Sequence, residues 1–209
     1  AEHVFIVLKE VPVTTFDELF EAVKSIPFHD YLDLDGSFLV TAKAKKSTLM
    51  SERSIQSLTK KAVIESLKAA TGQQSFSENG PVYHLRASVN QDLFRLELDT
   101  SGDALHRRGY RLEAGEAPLK ETLAAGLCLL ARYHGKRPLI DPFCGSGTIV
   151  IEGAMIARNI PPGITRTFAF ERIKPFTKDA FKAVKKAAYQ AIDLDKEISI
   201  TGRDMDPKV

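Results

Sequence analysis

Apolar and polar positions follow two rhythms along the chain, and the pattern changes near residue 101. Residues 3–10 are an apolar run of strand length, rich in branched side chains. Thr15 and Glu18 have the Thr-x-x-Glu spacing that satisfies free amides at a helix start. Phe16, Leu19, Phe20 and Val23 then recur on one face of a helix. Residues 33–36 read as a turn, and Phe38, Val40, Ala42 and Ala44 alternate as in a half-buried strand. A second helix is predicted over about 51–70, with Ile55, Leu58, Ala62 and Val63 inward and Gly72 where the chain turns out. Strands are predicted over 82–89 and 92–99. The first hundred residues thus read as a β-α-β-α-β-β module.

Past residue 101 the pattern becomes that of alternating helices and short strands. Ser101-Gly-Asp103 is turn-rich, and Leu105-His-Arg-Arg-Gly-Tyr-Arg111 is a basic connector. A helix is expected over about 117–133, with Pro118 in its first turn and Leu119, Leu123, Leu127 and Leu130 as its buried stripe. Residues 137–141 form a strand candidate, followed by Gly145-Ser-Gly147 and an apolar helix through Ile156 that Pro161-Pro-Gly163 breaks. A further helix over 177–192 would turn Phe181, Val184, Ala188 and Ile192 inward, and a second strand would span 197–201.

Composition narrows the class. With 44% hydrophobic and 27% charged residues, disorder, collagen and coiled-coil rods are excluded. No apolar run approaches the roughly 18–20 residues that span a bilayer, so no membrane association is expected. The start, Ala1-Glu-His-Val4, lacks a basic region leading into an apolar core, so no secretory signal is expected. Two cysteines, Cys128 and Cys144, make neither a disulfide framework nor a paired-cysteine zinc site, which points to a reducing, cytoplasmic setting. The five histidines are scattered without metal-ligand spacing, so no metal is expected. Cys128 lies among leucines as a core residue, and Cys144 is expected as a small side chain near a ligand.

The net charge of +2 hides a segregation. Residues 1–40 carry eight acidic and two basic residues, whereas residues 41–70 carry seven basic and two acidic ones. The basic stretch, with Lys43, Lys45, Lys46, Arg53, Lys60 and Lys61, is a candidate polyanion surface. On charge alone an ordinary solvated helix face explains it as well. Arg107, Arg108 and Arg111 form a second candidate strip, with salt bridging between domains as the alternative.

The informative segment is Leu139-Ile-Asp-Pro-Phe-Cys-Gly-Ser-Gly-Thr148: a strand ending in an acid, a glycine-rich turn, then a helix. In nucleotide-binding sheets, ligands sit at this corner. A dinucleotide fold wants a third glycine where Val150 stands, and the lysine-bearing phosphate loop is absent. Val150 weakens the dinucleotide reading without closing it, and a third reading is S-adenosylmethionine (SAM), which has no phosphate but carries an amino-acid end and a ribose diol. Asp141 could receive donors from the amino-acid end. A second acid after the next strand should accept both ribose hydroxyls, and Asp204, with Asp206 two residues on, is placed for it.

The run Asp141-Pro142-Phe143-Cys144-Gly145-Ser146-Gly147-Thr148, continuing through Glu152, resembles the first SAM-binding motif of nucleic-acid amino-methyltransferases. With the flanks Leu105–Arg111, Glu116-Ala-Pro-Leu-Lys-Glu-Thr-Leu-Ala-Ala125 and Asn159-Ile-Pro-Pro-Gly163, the chain resembles the bacterial THUMP-domain RNA methyltransferases. Members of that group often carry the label N6-adenine-specific DNA methylase. The resemblance implies a mixed α/β THUMP module over 1–100, a connector over 101–116, and the first part of a doubly wound, Rossmann-like methyltransferase domain over 117–209. It implies SAM as cofactor and RNA as partner, with transfer to guanine N2 of large-subunit ribosomal RNA. Asp141, Phe143, Gly145 and Gly147 would line the cofactor site, Asp204 would bind the ribose, and residues 117–122 would pack near the methionine end. The family's catalytic tetrapeptide, an Asn or Asp followed by Pro-Pro and an aromatic residue, does not occur in these 209 residues. The expectation is therefore an interior piece of a longer protein, lacking its catalytic motif and an N-terminal extension. Two alternatives stay open: a DNA adenine-N6 methyltransferase, and a noncatalytic RNA-binding protein with a degenerate nucleotide fold.

Overall fold

The computed structural model describes residues 2–111, 119–176 and 178–206. The chain divides into two compact units. The first takes residues 3–102 and, from far along the chain, 168–176. The second takes Glu2 and the described residues of 103–167 and 178–206.

The first unit realises the predicted β-α-β-α-β-β order. It comprises β1 (Phe5–Pro12), α1 (Phe16–Lys24), β2 (Ser37–Lys45), α2 (Glu52–Thr71), β3 (Val82–Asn90) and β4 (Leu93–Asp99). The four strands form one sheet in the order β1-β4-β3-β2. β3–β4 and β1–β4 are antiparallel, whereas β2 and β3 run parallel and need the crossover that α2 supplies. Period-two alternation decides the faces. Tyr83, Leu85, Ala87 and Val89 of β3 join Phe94, Leu96 and Leu98 of β4 in a core closed by Leu19 and Val23 of α1 and by Ile55, Ala62, Val63 and Leu67 of α2. The opposite face is laced across strands by charges, with Glu97 and Asp99 buried beneath their partners: Arg86 pairs with Glu97 at 2.7 Å, Arg95 pairs with Glu10, and His3 Nδ1 lies 2.8 Å from Asp99.

Local signals hold at the helix ends. Thr15 caps α1 by accepting from the Glu18 amide at 3.2 Å, and the Glu18 carboxylate accepts from the Thr14 and Thr15 amides at 2.7 and 3.0 Å. Gly72 closes α2 in the left-handed conformation. The segment 168–176, assigned by sequence to the second domain, packs in the first unit. Ile173 is buried in its core, the Phe170 amide donates to Thr100 O, and the Tyr83 hydroxyl donates to Arg172 O at 3.0 Å.

The second unit holds α3 (Glu121–Leu130), β5 (Leu139–Asp141), α4 (Thr148–Ala157), α5 (Lys178–Gln190) and β6 (Ile200–Gly202). β5 and β6 pair in parallel, as a doubly wound sheet requires. Two predicted faces are corrected here. On α3 the buried residues are Glu121, Ala124 and Cys128, while Leu123, Leu127 and Leu130 are exposed, Leu130 by 83%. The helix is apolar nearly all round, and its narrow side packs on α4 because small side chains allow close approach and Glu121 meets a cation there. α5 buries none of its described residues, and Val184 lies open to solvent. Pro118 and Ala117 fall outside the described residues.

Replacing Thr15 with Ala removes an N-cap whose loss costs about 1 kcal/mol. Urea unfolding monitored on the first unit should show a lower midpoint with an unchanged slope.

Candidate cofactor site

The glycine-rich bend is built by backbone geometry. β5 ends at Asp141, whose carbonyl accepts from the Arg203 amide at 2.9 Å, and the Arg203 carbonyl accepts from the Cys144 amide at 2.9 Å. The strand pairing thus continues past β6 into the bend. Gly145 (φ +51°) and Gly147 (φ +77°) take the left-handed conformation that favours glycine. A β-carbon at Gly145 would meet open space, so the bend is bare on that side. Gly147 is the N-cap of α4 and offers no side chain to the free amides of its first turn. Cys144 packs against the bare Cα of Gly202, where a β-carbon would lie 3.0 Å from its Sγ.

The two acids expected from sequence come together at this bend. Asp141 Oδ1 accepts from the Phe143 amide at 3.2 Å. Asp204 Oδ2 accepts from the Gly145 amide at 2.8 Å, and its Oδ1 accepts from the Asp206 amide at 2.9 Å. Backbone amides of Asp206, Gly145 and Met205 hold the Asp204 carboxyl below the usual carboxylate range. Each of its oxygens keeps further acceptor capacity. Phe143 stands beside the bend with 80% of its surface exposed, and Pro142 and Ser146 are also exposed.

Sequence reasoning missed the partners that two connector arginines find beside α3 and α4. Arg108 and Arg111 are neither a polyanion strip nor a bridge between domains, because their partners lie in their own unit. Arg108 Nε donates to Glu152 at 3.3 Å, and the Tyr110 hydroxyl donates to the same carboxylate oxygen at 3.0 Å. Glu152 is 2% exposed and the Arg108 side chain 11%. Burial first, then Glu152, pushes the Tyr110 hydroxyl far above its ordinary pKa. Arg111 Nε donates to Glu121 at 3.0 Å, and its Nη2 donates to Thr148 Oγ1 at 2.7 Å and to Leu119 O at 3.0 Å. A signal existed: a lone glutamate inside the apolar run Thr148-Ile-Val-Ile-Glu-Gly-Ala-Met-Ile-Ala157 requires a cation. In the same unit, hydrogen bonds from Thr122 and His106 pull the Glu2 carboxyl down to about 2.

The six basic residues singled out from the sequence, Lys43, Lys45, Lys46, Arg53, Lys60 and Lys61, are spread over β2 and two sides of α2. Lys43 and Lys45 sit on β2, with Lys46 just beyond it. Lys43 pairs with Glu52 at 3.5 Å. Arg53 and Lys60 flank β2 from α2, beside a cavity of about 350 Å³ that Gln56, Ser57 and Leu39 help to line. Lys60 also pairs with Glu78 at 3.3 Å. Lys61 points to the α1 side, 5.8 Å from the Phe20 ring.

Two measurements test these charges. Glu152→Ala leaves a buried guanidinium unpaired and should destabilise the protein by about 3–5 kcal/mol in denaturant unfolding; a loss under about 1 kcal/mol would mean that Arg108 reaches water instead. The folded Glu2 pKa lies below its ordinary value of 4.5, so the Thr122 and His106 contacts contribute fully above pH 4.5 and are lost as pH falls toward 2. A carboxyl-detected NMR titration should find the Glu2 midpoint near 2.

Comparison with known proteins bears on both units. Residues 13–99 match the THUMP domain, and residues 108–209 match the family described as RMKL-like, methyltransferase domain. The chain is 38% identical to the protein named "Putative RNA methyltransferase YpsC" of Bacillus subtilis, over all of this chain and 55% of that one. It is 36% identical to ribosomal RNA large subunit methyltransferase K/L of Magnetococcus marinus, over 82% of this chain and 25% of that one. The solved structure of SMU.472 complexed with SAH, S-adenosylhomocysteine, superposes with a TM-score of 0.90 at 40% identity, covering 100% of this chain and 55% of that one. The chain thus spans about half the length of YpsC and of SMU.472. The two matches together place a THUMP domain and an RMKL-like methyltransferase domain in this one chain.

Proposed function

We propose that these residues are the RNA-docking and cofactor-holding part of a SAM-dependent RNA methyltransferase that acts on an exocyclic base amine, guanine N2 of large-subunit ribosomal RNA. The observation that carries this reading is the bare glycine bend with the Asp204 carboxylate fastened to the Gly145 amide. The residues fit the group. Open space at Gly145 lets a ligand approach the backbone, Asp204 retains acceptor capacity for a diol, and Phe143 offers an exposed apolar ring beside it. When bound, SAM supplies an electrophilic methyl group on a sulfonium.

Each side chain then has a defined task. Asp141 and the amides of the Asp141–Thr148 run receive the amino-acid end, and Cys144 fixes the loop by packing on Gly202. Asp204, with Asp206 beside it, accepts the ribose hydroxyls. No residue of the 209 is assigned to orienting the amine, since the Pro-Pro-aromatic signature is not among them. Because the target amine lies within a base, the nucleotide must be unpaired or flipped out. Residues 1–100 hold the RNA and residues 117–209 the cofactor, with 101–116 between them. The SAH bound in SMU.472 supports SAM as the cofactor, and the ribosomal RNA named for the K/L relatives supports RNA as the substrate. Such a substrate is met in the cytoplasm, and among the described residues no helix is long and apolar enough to cross a membrane.

On the RNA side, Lys45, Arg53 and Lys60 are the contacts we assign first, with Lys43 on β2, Lys46 just past its end and Lys61 at the periphery. Lys and Arg contacts to phosphate supply affinity without sequence information. In the full chain, Asp204→Ala should abolish SAH binding measured by calorimetry and leave RNA affinity intact; unchanged SAH affinity would remove the ribose role. Lys45→Glu combined with Lys60→Glu should weaken RNA binding by about tenfold or more in a gel-shift titration and leave SAH binding alone.

A further inference from the structure

We propose that Arg111 is the positioning residue of the glycine bend, setting the site's affinity for SAM without touching the cofactor. This rests on the reading of the bend as the SAM site. The bend carries two left-handed glycines, and its helix starts at a residue with no side chain. Such a backbone needs a tether from outside. Arg111 provides it on both sides of Gly147: Nη1 lies 3.4 Å from Ser146 Oγ, and Nη2 donates to Thr148 Oγ1 at 2.7 Å. The remaining reach of the same group holds the start of α3, through Glu121 at 3.0 Å and Leu119 O at 3.0 Å.

The guanidinium suits this task because it is planar and carries five donors in a rigid fork. One side chain therefore fixes the spacing between the first turns of α3 and α4, with the bend between them. The guanidinium and two of its partners are withdrawn from solvent, with the Arg111 side chain 14% exposed, that of Glu121 7% and Thr148 4%, while Ser146 lies at the exposed side of the bend. A lysine would keep the charge and could satisfy Glu121, but one ammonium cannot span Glu121, Leu119 O, Ser146 and Thr148 together. Arg108 is the built-in control. It grips the same helix at Glu152, one turn beyond the bend, and reaches neither Ser146 nor Thr148 in its hydrogen bonds.

The test is calorimetric titration of SAH into the full chain, with thermal melting of each variant. Wild type, Arg111→Lys, Thr148→Val, the double variant and Arg108→Lys are compared. We expect Arg111→Lys to weaken SAH binding by about tenfold, Thr148→Val by less, and the double variant no more than Arg111→Lys alone, because one contact is being removed twice. Arg108→Lys should lower the melting temperature comparably and leave SAH affinity within about twofold. SAH affinity of Arg111→Lys equal to wild type overturns the proposal. So does additivity in the double variant, which would make Thr148 an independent contact. If Arg111→Lys does not fold, Thr148→Val decides alone: wild-type affinity there refutes the tether. Failure of wild type itself to bind SAH refutes the cofactor reading, a separate outcome.

Discussion

Two guanidinium groups buried beside α3 and α4 constrain the second unit more than any apolar contact does. Removing a charge from water is costly unless a partner of opposite sign and adequate hydrogen bonds await it. Arg108 and Arg111, three residues apart, meet Glu152 and Thr148, four residues apart on α4, while Glu121 completes the set from α3. The positions of these partners are then no longer free. What had the look of a basic connector is an integral part of the unit that contains the bend.

The apolar core of this unit could not impose the same order. Among the described residues its buried hydrophobic side chains are few, Ala124, Cys128, Tyr133 and Ala157, and much of the leucine surface of α3 faces outward. Dispersion and hydrophobic burial are non-directional, and a small cluster tolerates sliding. Fork geometry between a guanidinium, a carboxylate and a hydroxyl does not. The first unit is the reverse case: a continuous core between two helices and a sheet sets its arrangement, and charge pairs lie on the other face of the sheet.

The first unit was legible because its signals are local. A capping box, a left-handed glycine and strict alternation each act within a few residues, and each appears where the sequence put it. The bend was legible for the same reason. α3 was misread because Glu121-Thr-Leu-Ala-Ala-Gly-Leu-Cys-Leu-Leu130 carries apolar residues on most sides, and periodicity does not say which side a neighbour will take. The packing of segment 168–176 on the first unit had no local signal, because its partners, Tyr31, Tyr83 and Thr100, lie far back in the chain. The basic stretch over 41–70 read as one surface because a linear count ignores that Lys60 and Lys61 point to different sides of α2, and that Glu52 and Glu78 answer two of the lysines.

The return of Ile173 to the core of the first unit has a temporal consequence. During synthesis from the N-terminus, every strand and α-helix of that unit has been made by residue 99, but the aromatic and aliphatic plug of 168–176, with its short 3-10 turn, follows only after the bend, α4 and the stretch beyond them have been made. The nascent sheet must therefore wait, incompletely covered, while the next unit is being made. Ordering of the early half is finished by late residues, which ties the birth of one unit to that of the other.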